Sequence, residues 1–121
     1  MKEIEFRVYV KDKHKIYKVK EIDFNYKCVK FEEENKPTDT MLMFNQVELM
    51  QYTGLKDKNG KKIFEGDIVK DILGQIGQII YKEKYSAFVV DKWEVGYALW
   101  FDKGIEVIGN IYDNPKLLKG E

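Results

Sequence analysis

Residues 53–70 read TGLKDKNGKKIFEGDIVK. Gly54, Gly60 and Gly66 punctuate the stretch, Lys56, Lys58, Lys61 and Lys62 surround Asn59-Gly60, and Ile68-Val69 close it on an apolar note. A phosphate-binding loop, a nucleic-acid contact and a structural hairpin are the competing readings. The first needs four residues between its glycines, a hydroxyl residue after the lysine, and a helix starting there. Here five residues separate Gly54 from Gly60, Lys61 is followed by Lys62, and Ile63-Phe64 leads toward strand-type sequence. The hairpin fits better. Asn-Gly is a strong signal for a type I′ turn, in which both central residues take positive φ. Glu65-Gly66-Asp67 predicts a second turn directly after it.

C-terminal to this stretch come IVKDI, QIGQIIY, AFVVD, YALWF and IEVIGNIY, each bounded by glycine or charged residues. Short apolar runs at that spacing predict an antiparallel barrel or sandwich. No βα alternation supports a parallel sheet. GQIGQI at 74–79 lacks the first close glycine pair of a dinucleotide loop, and Asp57, Asn59 and Gly60 lack the spacing and closing glutamate of a calcium loop. Pro115 stops the last strand.

N-terminal to it, IEFRVYV alternates Ile4, Phe6, Val8 and Val10 with polar or aromatic partners, the period of a half-buried strand. KIYKVKEIDF and KCVKFEE continue in the same style around a turn at Asn25-Tyr26, and residues 32–37 form a polar loop ending in Pro37. The segment Thr38 to Tyr52 predicts one helical turn, capped by Thr38 or Asp39 and carrying Met41, Leu42 and Phe44, followed by a strand. Met41, Leu42, Met43 and Phe44 are four apolar residues in succession. In a strand they cannot all face one small core, so they are the candidate oligomer interface.

The chain has 121 residues, 44 % hydrophobic and 35 % charged, the balance of a globular protein and not a disordered one. Its formal net charge is zero, so any nucleic-acid or anionic-membrane binding must come from a local patch. Cys28 is the only cysteine, which excludes an internal disulfide and a thiolate metal cluster and fits a reducing cytosol. No apolar run approaches the ~20 residues of a membrane helix, and the charges in MKEIEFRVYVKDK exclude a signal-peptide core. The expected location is the cytoplasm.

Catalysis has little basis. His14 and Cys28 are each the sole representative of their type. His14 sits in a charged turn, and a lone strand cysteine ordinarily packs. Two binding features stand out. Lys56, Lys58, Lys61 and Lys62 on one hairpin suit phosphate contacts of the salt-dependent kind, or else a solvated tip that blocks edge-to-edge aggregation. Trp93, Tyr97, Trp100 and Phe101 form an aromatic cluster, and because Trp100 and Phe101 are adjacent, a strand there exposes one of them. Trp93 and Trp100 are therefore candidate stacking or anchoring residues, with core packing as the ordinary alternative.

The strings MQYTGLKDKNGKKIFEGDIVK and IEVIGNIYDNPKLLKG, with FRVYVKDKHKIYKV near the start, resemble the YopX family of phage and prophage proteins. Phe64 stands where that family often has tyrosine, and Tyr9-Val10 replaces a tryptophan-aspartate style pair. The resemblance implies an SH3-like barrel in the C-terminal part and carries no catalytic motif. The expectation is an all-β protein with an N-terminal strand-rich extension over 1–50 and an SH3-like barrel over 51–121. It is expected to act as a non-catalytic phage accessory module in the bacterial host, needing no cofactor or metal. A protein partner, including a second copy, is expected first, and a nucleic-acid-associated module second.

Overall fold

The alternating pattern builds ten antiparallel strands and no α-helix among the described residues. The computed structural model describes residues 3–91 and 104–119. The chain divides into two units, Ile4–Gln51, and Met1–Glu3 with Tyr52–Glu121. No helix among the described residues is long and apolar enough to cross a membrane.

In the first unit, β1 (Phe6–Val10), β2 (Lys15–Asp23), β3 (Cys28–Phe31) and β4 (Thr40–Met43) join the start of β5 (Val47–Lys56). Their order is β4-β3-β2-β1-β5, with every neighbouring pair antiparallel. Val8 stands opposite both Tyr17 and Leu49, and Val29 opposite Leu42 and Ile22. This register gathers Val8, Val10, Val29, Phe31 and Val47 into one core, with Tyr17, Ile22, Leu42 and Phe44 packed against it. Ile4, the first member of the predicted alternation, precedes the strand and is exposed.

Short polar circuits close the turns. Asp23 Oδ1 accepts the amides of Asn25 (2.9 Å) and Tyr26 (3.0 Å), the Asx geometry that ends β2. The loop between β3 and β4 gathers around Glu33, whose carboxylate is contacted by the ammonium groups of Lys13 and Lys36 and the hydroxyl of Thr40.

The 38–46 segment departs from expectation. Met41 and Leu42 lie in β4, not in a helical turn, and the turn is a 3₁₀ turn displaced to Phe44–Gln46. The reason is tertiary. β3 offers an edge to pair with, and pairing drops Leu42 onto Val29 in the core side of the sheet. A lone helical turn has no comparable return.

The second unit contains the rest of β5, β6 (Lys62–Phe64), and a sheet of β7 (Asp67–Lys70), β8 (Ile76–Lys82), β9 (Ala87–Val90) and β10 (Glu106–Asn110) in the order β10-β7-β8-β9. Its core is Ile63, Val69, Ile79, Val90 and Ile105. The order is that of an open sheet, with no pairing between β9 and β10 among the described residues. The predicted Glu65-Gly66-Asp67 turn is present. Asp67 Oδ2 accepts the Phe64 amide at 2.8 Å, and Gly66, at φ +91°, donates to Ile79 O and accepts from the Ile111 amide. β10 ends ahead of Pro115, at Asn110, whose Oδ1 accepts the amides of Tyr112 and Asp113. The YALWF strand at 97–101 and the Trp93–Phe101 cluster lie outside the described residues.

Candidate functional site

The lysine hairpin is organised by a carboxylate. Asp57 Oδ1 accepts the amides of Asn59 (2.8 Å) and Lys61 (2.9 Å), and its Oδ2 accepts the Val107 amide of the β10 segment (2.9 Å). Burial alone would raise the Asp57 pKa, but the amides of Val107, Lys61 and Asn59 outweigh it and hold the carboxyl below its ordinary value. The turn is not type I′. Gly60 takes φ +83° but Asn59 has no positive φ, the Gly60 amide donates to Asp57 O (3.0 Å), and the Asp57 amide donates to Lys61 O (2.7 Å). This is a type I turn followed by a left-handed glycine. Asp57 selects it, because an aspartate in the first turn position bonds the amide two residues on.

A second copy of this circuit, which pattern reading missed, closes β7 onto β8. Asp71 Oδ1 accepts the amides of Leu73 (2.9 Å) and Gln75 (2.8 Å), the Gly74 amide donates to Asp71 O (3.1 Å), and Gly74 has φ +83°. The signal was present as D-x-x-G-x, DKNGK at 57–61 and DILGQ at 71–75. At the tip of the second turn Ile72 and Leu73 are 80 % and 87 % exposed.

The hairpin's lysines do not act as one free cationic patch. Lys58 Nζ lies 3.6 Å from Glu106, and Lys62 Nζ lies 2.5 Å from Glu3 while covering the Tyr52 ring at 5.2 Å. Lys56 and Lys61 are exposed. Trp93 and Trp100 lie outside the described residues.

The 41–44 run is divided by strand alternation. Leu42 and Phe44 turn to the core. Met41 and Met43 take the opposite face and are 55 % and 43 % exposed. Across the strands, Met43 faces Cys28 and then Asp23, while Met41 faces Lys30 and then Glu21. With Tyr26 these residues line a groove of about 380 Å³ on the outer face of β2-β3-β4. Its lining is mostly apolar, with the carboxylates of Glu21 and Asp23 on β2 and the ammonium of Lys30 on the central strand β3. Cys28 forms the floor and is 4 % exposed.

β4 is the edge of this sheet. The Met43 amide donates to Gln46 Oε1 (2.9 Å), while the next residue's amide, from Phe44, donates inward to Lys27 O (2.8 Å). One edge donor is thereby closed off by the chain's own side chain, a device against open-ended strand addition. The outer face is exposed at Met41 and Met43. Sequence reasoning named the two methionines but missed Tyr26, Cys28, Lys30, Glu21 and Asp23. They come from three segments that only the β2-β3-β4 register brings together.

The chain's only cysteine and only histidine are engaged separately. His14 Nδ1 lies 2.8 Å from the Tyr9 hydroxyl, across the turn between β1 and β2, and Cys28 lies under Met43.

The architecture has a solved counterpart. The crystal structure of protein EF1440 from Enterococcus faecalis matches with a TM-score of 0.71 and 25 % sequence identity, over 98 % of this chain and 99 % of that one. No curated protein sequence matches. The family model described as YopX protein matches residues 5–119, nearly the full length. With its strand pairings and its DKNGKKIFEGDIV turn region inside that match, the chain belongs to the YopX family.

Proposed function

We propose that the protein is a non-catalytic protein-binding module, a phage or prophage accessory protein of the host cytoplasm that associates with a protein partner, including itself. The observation that carries this reading is the outward placement of Met41 and Met43 over Cys28, on a face whose opposite side already satisfies the core through Leu42. Large thioethers held on a sheet surface suit an adaptable protein contact, because the methionine side chain repacks at little cost. Sedimentation of the protein over a range of concentrations tests it. Self-association weakened by Met43→Asp is the expected result, and a strict monomer that captures no protein partner through this face overturns it.

For the unit over 51–121 the proposed architecture is SH3-like. The short antiparallel strands β7, β8 and β10, their tight turns and the Ile63-Val69-Ile79-Ile105 core support that assignment. A nucleic-acid-associated module is the second reading, supported by the exposed Lys56 and Lys61 on a rigid hairpin. It ranks second because Lys58 and Lys62 are already occupied by Glu106 and Glu3.

A further inference from the structure

The two matching turns provide an internal comparison. Both use a buried aspartate to clamp the loop amides and a glycine at φ +83° to finish it. At the two tip positions the first carries Lys58 and Asn59, the second Ile72 and Leu73. The turn therefore places no demand for apolar residues at those positions, and polar ones serve the same backbone. Ile72 and Leu73 are nonetheless among the most exposed large apolar residues of the described chain. Among the described residues, neither the core nor the turn accounts for them. They are a convex apolar knob on a stem pre-organised by Asp71, so little ordering entropy is lost on insertion.

The concave counterpart is the groove on β2-β3-β4. An apolar cavity of about 150 Å³ accommodates a benzene-sized group, so about 380 Å³ has room for two aliphatic side chains. The knob segment 72–76, ILGQI, carries no charge of its own to be desolvated in a mostly apolar groove. Glu21 and Asp23 lie on β2 at one side of the groove, and the long Lys30 side chain on β3 reaches solvent past its apolar stem. From this complementarity of size and polarity, and resting on the groove reading above, we infer that Ile72 and Leu73 of one copy insert into the Tyr26-Cys28-Met41-Met43 groove of a second copy. The contact is head-to-tail. With one knob and one groove on each copy, a single contact per pair continues into rings or chains, whereas two reciprocal contacts close a two-fold dimer.

The test uses two variants and their mixture. Ile72→Lys with Leu73→Asn copies the tip of the sister turn and so preserves the hairpin. Met43→Asp puts a charge in the groove. Sedimentation and light scattering up to about 1 mM should show wild-type assemblies growing with concentration, and each variant alone should associate roughly ten- to a hundredfold more weakly. An equimolar mixture should form one-to-one heterodimers and nothing longer, since it holds one intact knob on one chain and one intact groove on the other. A reciprocal two-fold dimer would also keep one contact in the mixture, so wild-type assemblies that stop at two copies, and not the mixture, overturn the head-to-tail arrangement. Wild-type assembly lost in Met43→Asp but unchanged in the tip variant overturns the knob while sparing the groove as a self-association surface. A monomeric wild type, or a mixture that stays monomeric, overturns the inference.

Discussion

Two aspartates and two glycines set the local geometry of the C-terminal unit. Asp57 satisfies three backbone amides, so Asp57→Ala leaves donors without an acceptor and should cost about 2–4 kcal/mol. Urea denaturation measures this, and Asp57→Asn, which retains one acceptor oxygen, should cost less. The sign of the pH dependence follows from the lowered Asp57 pKa. Its contribution is fully present above the unfolded carboxylate value near 3.9 and is lost as pH falls through the lower folded value. The difference in stability between wild type and Asp57→Asn should therefore narrow on acidification below about pH 4. Gly60 and Gly74 have the same φ of +83°, and a Cβ at either meets nothing within 4 Å. Gly60→Ala and Gly74→Ala should each cost about 1–2 kcal/mol from backbone strain alone. A near-zero value at either position would contradict the shared turn geometry.

At the scale of the element, β4 shows how one strand serves two purposes. Leu42→Ala removes core contacts with Val29 and should destabilise by about 1–3 kcal/mol. Met41→Ala, on the outer face, should change stability by less than about 0.5 kcal/mol. Equal effects at the two positions would mean that the strand does not alternate as described. The loop that delivers the chain to β4 depends on Glu33. Its carboxyl is held well below the usual carboxylate range, by the Lys13 ammonium first and then by Thr40 and Lys36. Glu33→Gln should raise amide exchange across residues 32–39 at neutral pH while leaving β7 and β8 unaffected. In β10, a Cβ on Gly109 would stand 2.5 Å from Asn114 Oδ1, which accepts the Asn110 amide. A small side chain there would displace the cap that ends the strand.

At the scale of the whole molecule, far-ultraviolet circular dichroism should show strand signal with little helix, consistent with short 3₁₀ turns as the helical content of the described residues. Nucleic-acid binding offers a second measurement. With Lys58 and Lys62 paired, Lys56 and Lys61 are left to contact phosphates, so the slope of log affinity against log salt should not exceed about 2 in magnitude. A slope near 4, flattened by replacing all four lysines with glutamine, would place the nucleic-acid reading first.

The family and the all-β class were legible in the residues themselves. Strand periodicity is a local property, carried by Val8 and Val10 or by Ile68 and Val69 with their neighbours. The DKNGK turn was also visible as a turn. Its type was not, because that depends on Asp57 folding its carboxylate back onto the loop and onto the Val107 amide 50 residues away. Strand alternation keeps some of the 41–44 run out of the core, but only the pairing of β4 with β3 decided that these are Met41 and Met43. The groove was invisible for the same reason, since β2, the turn at Tyr26, β3 and β4 become neighbours through register. A strand's pattern tells it to have two faces; its neighbours decide which face is buried and what the other presents.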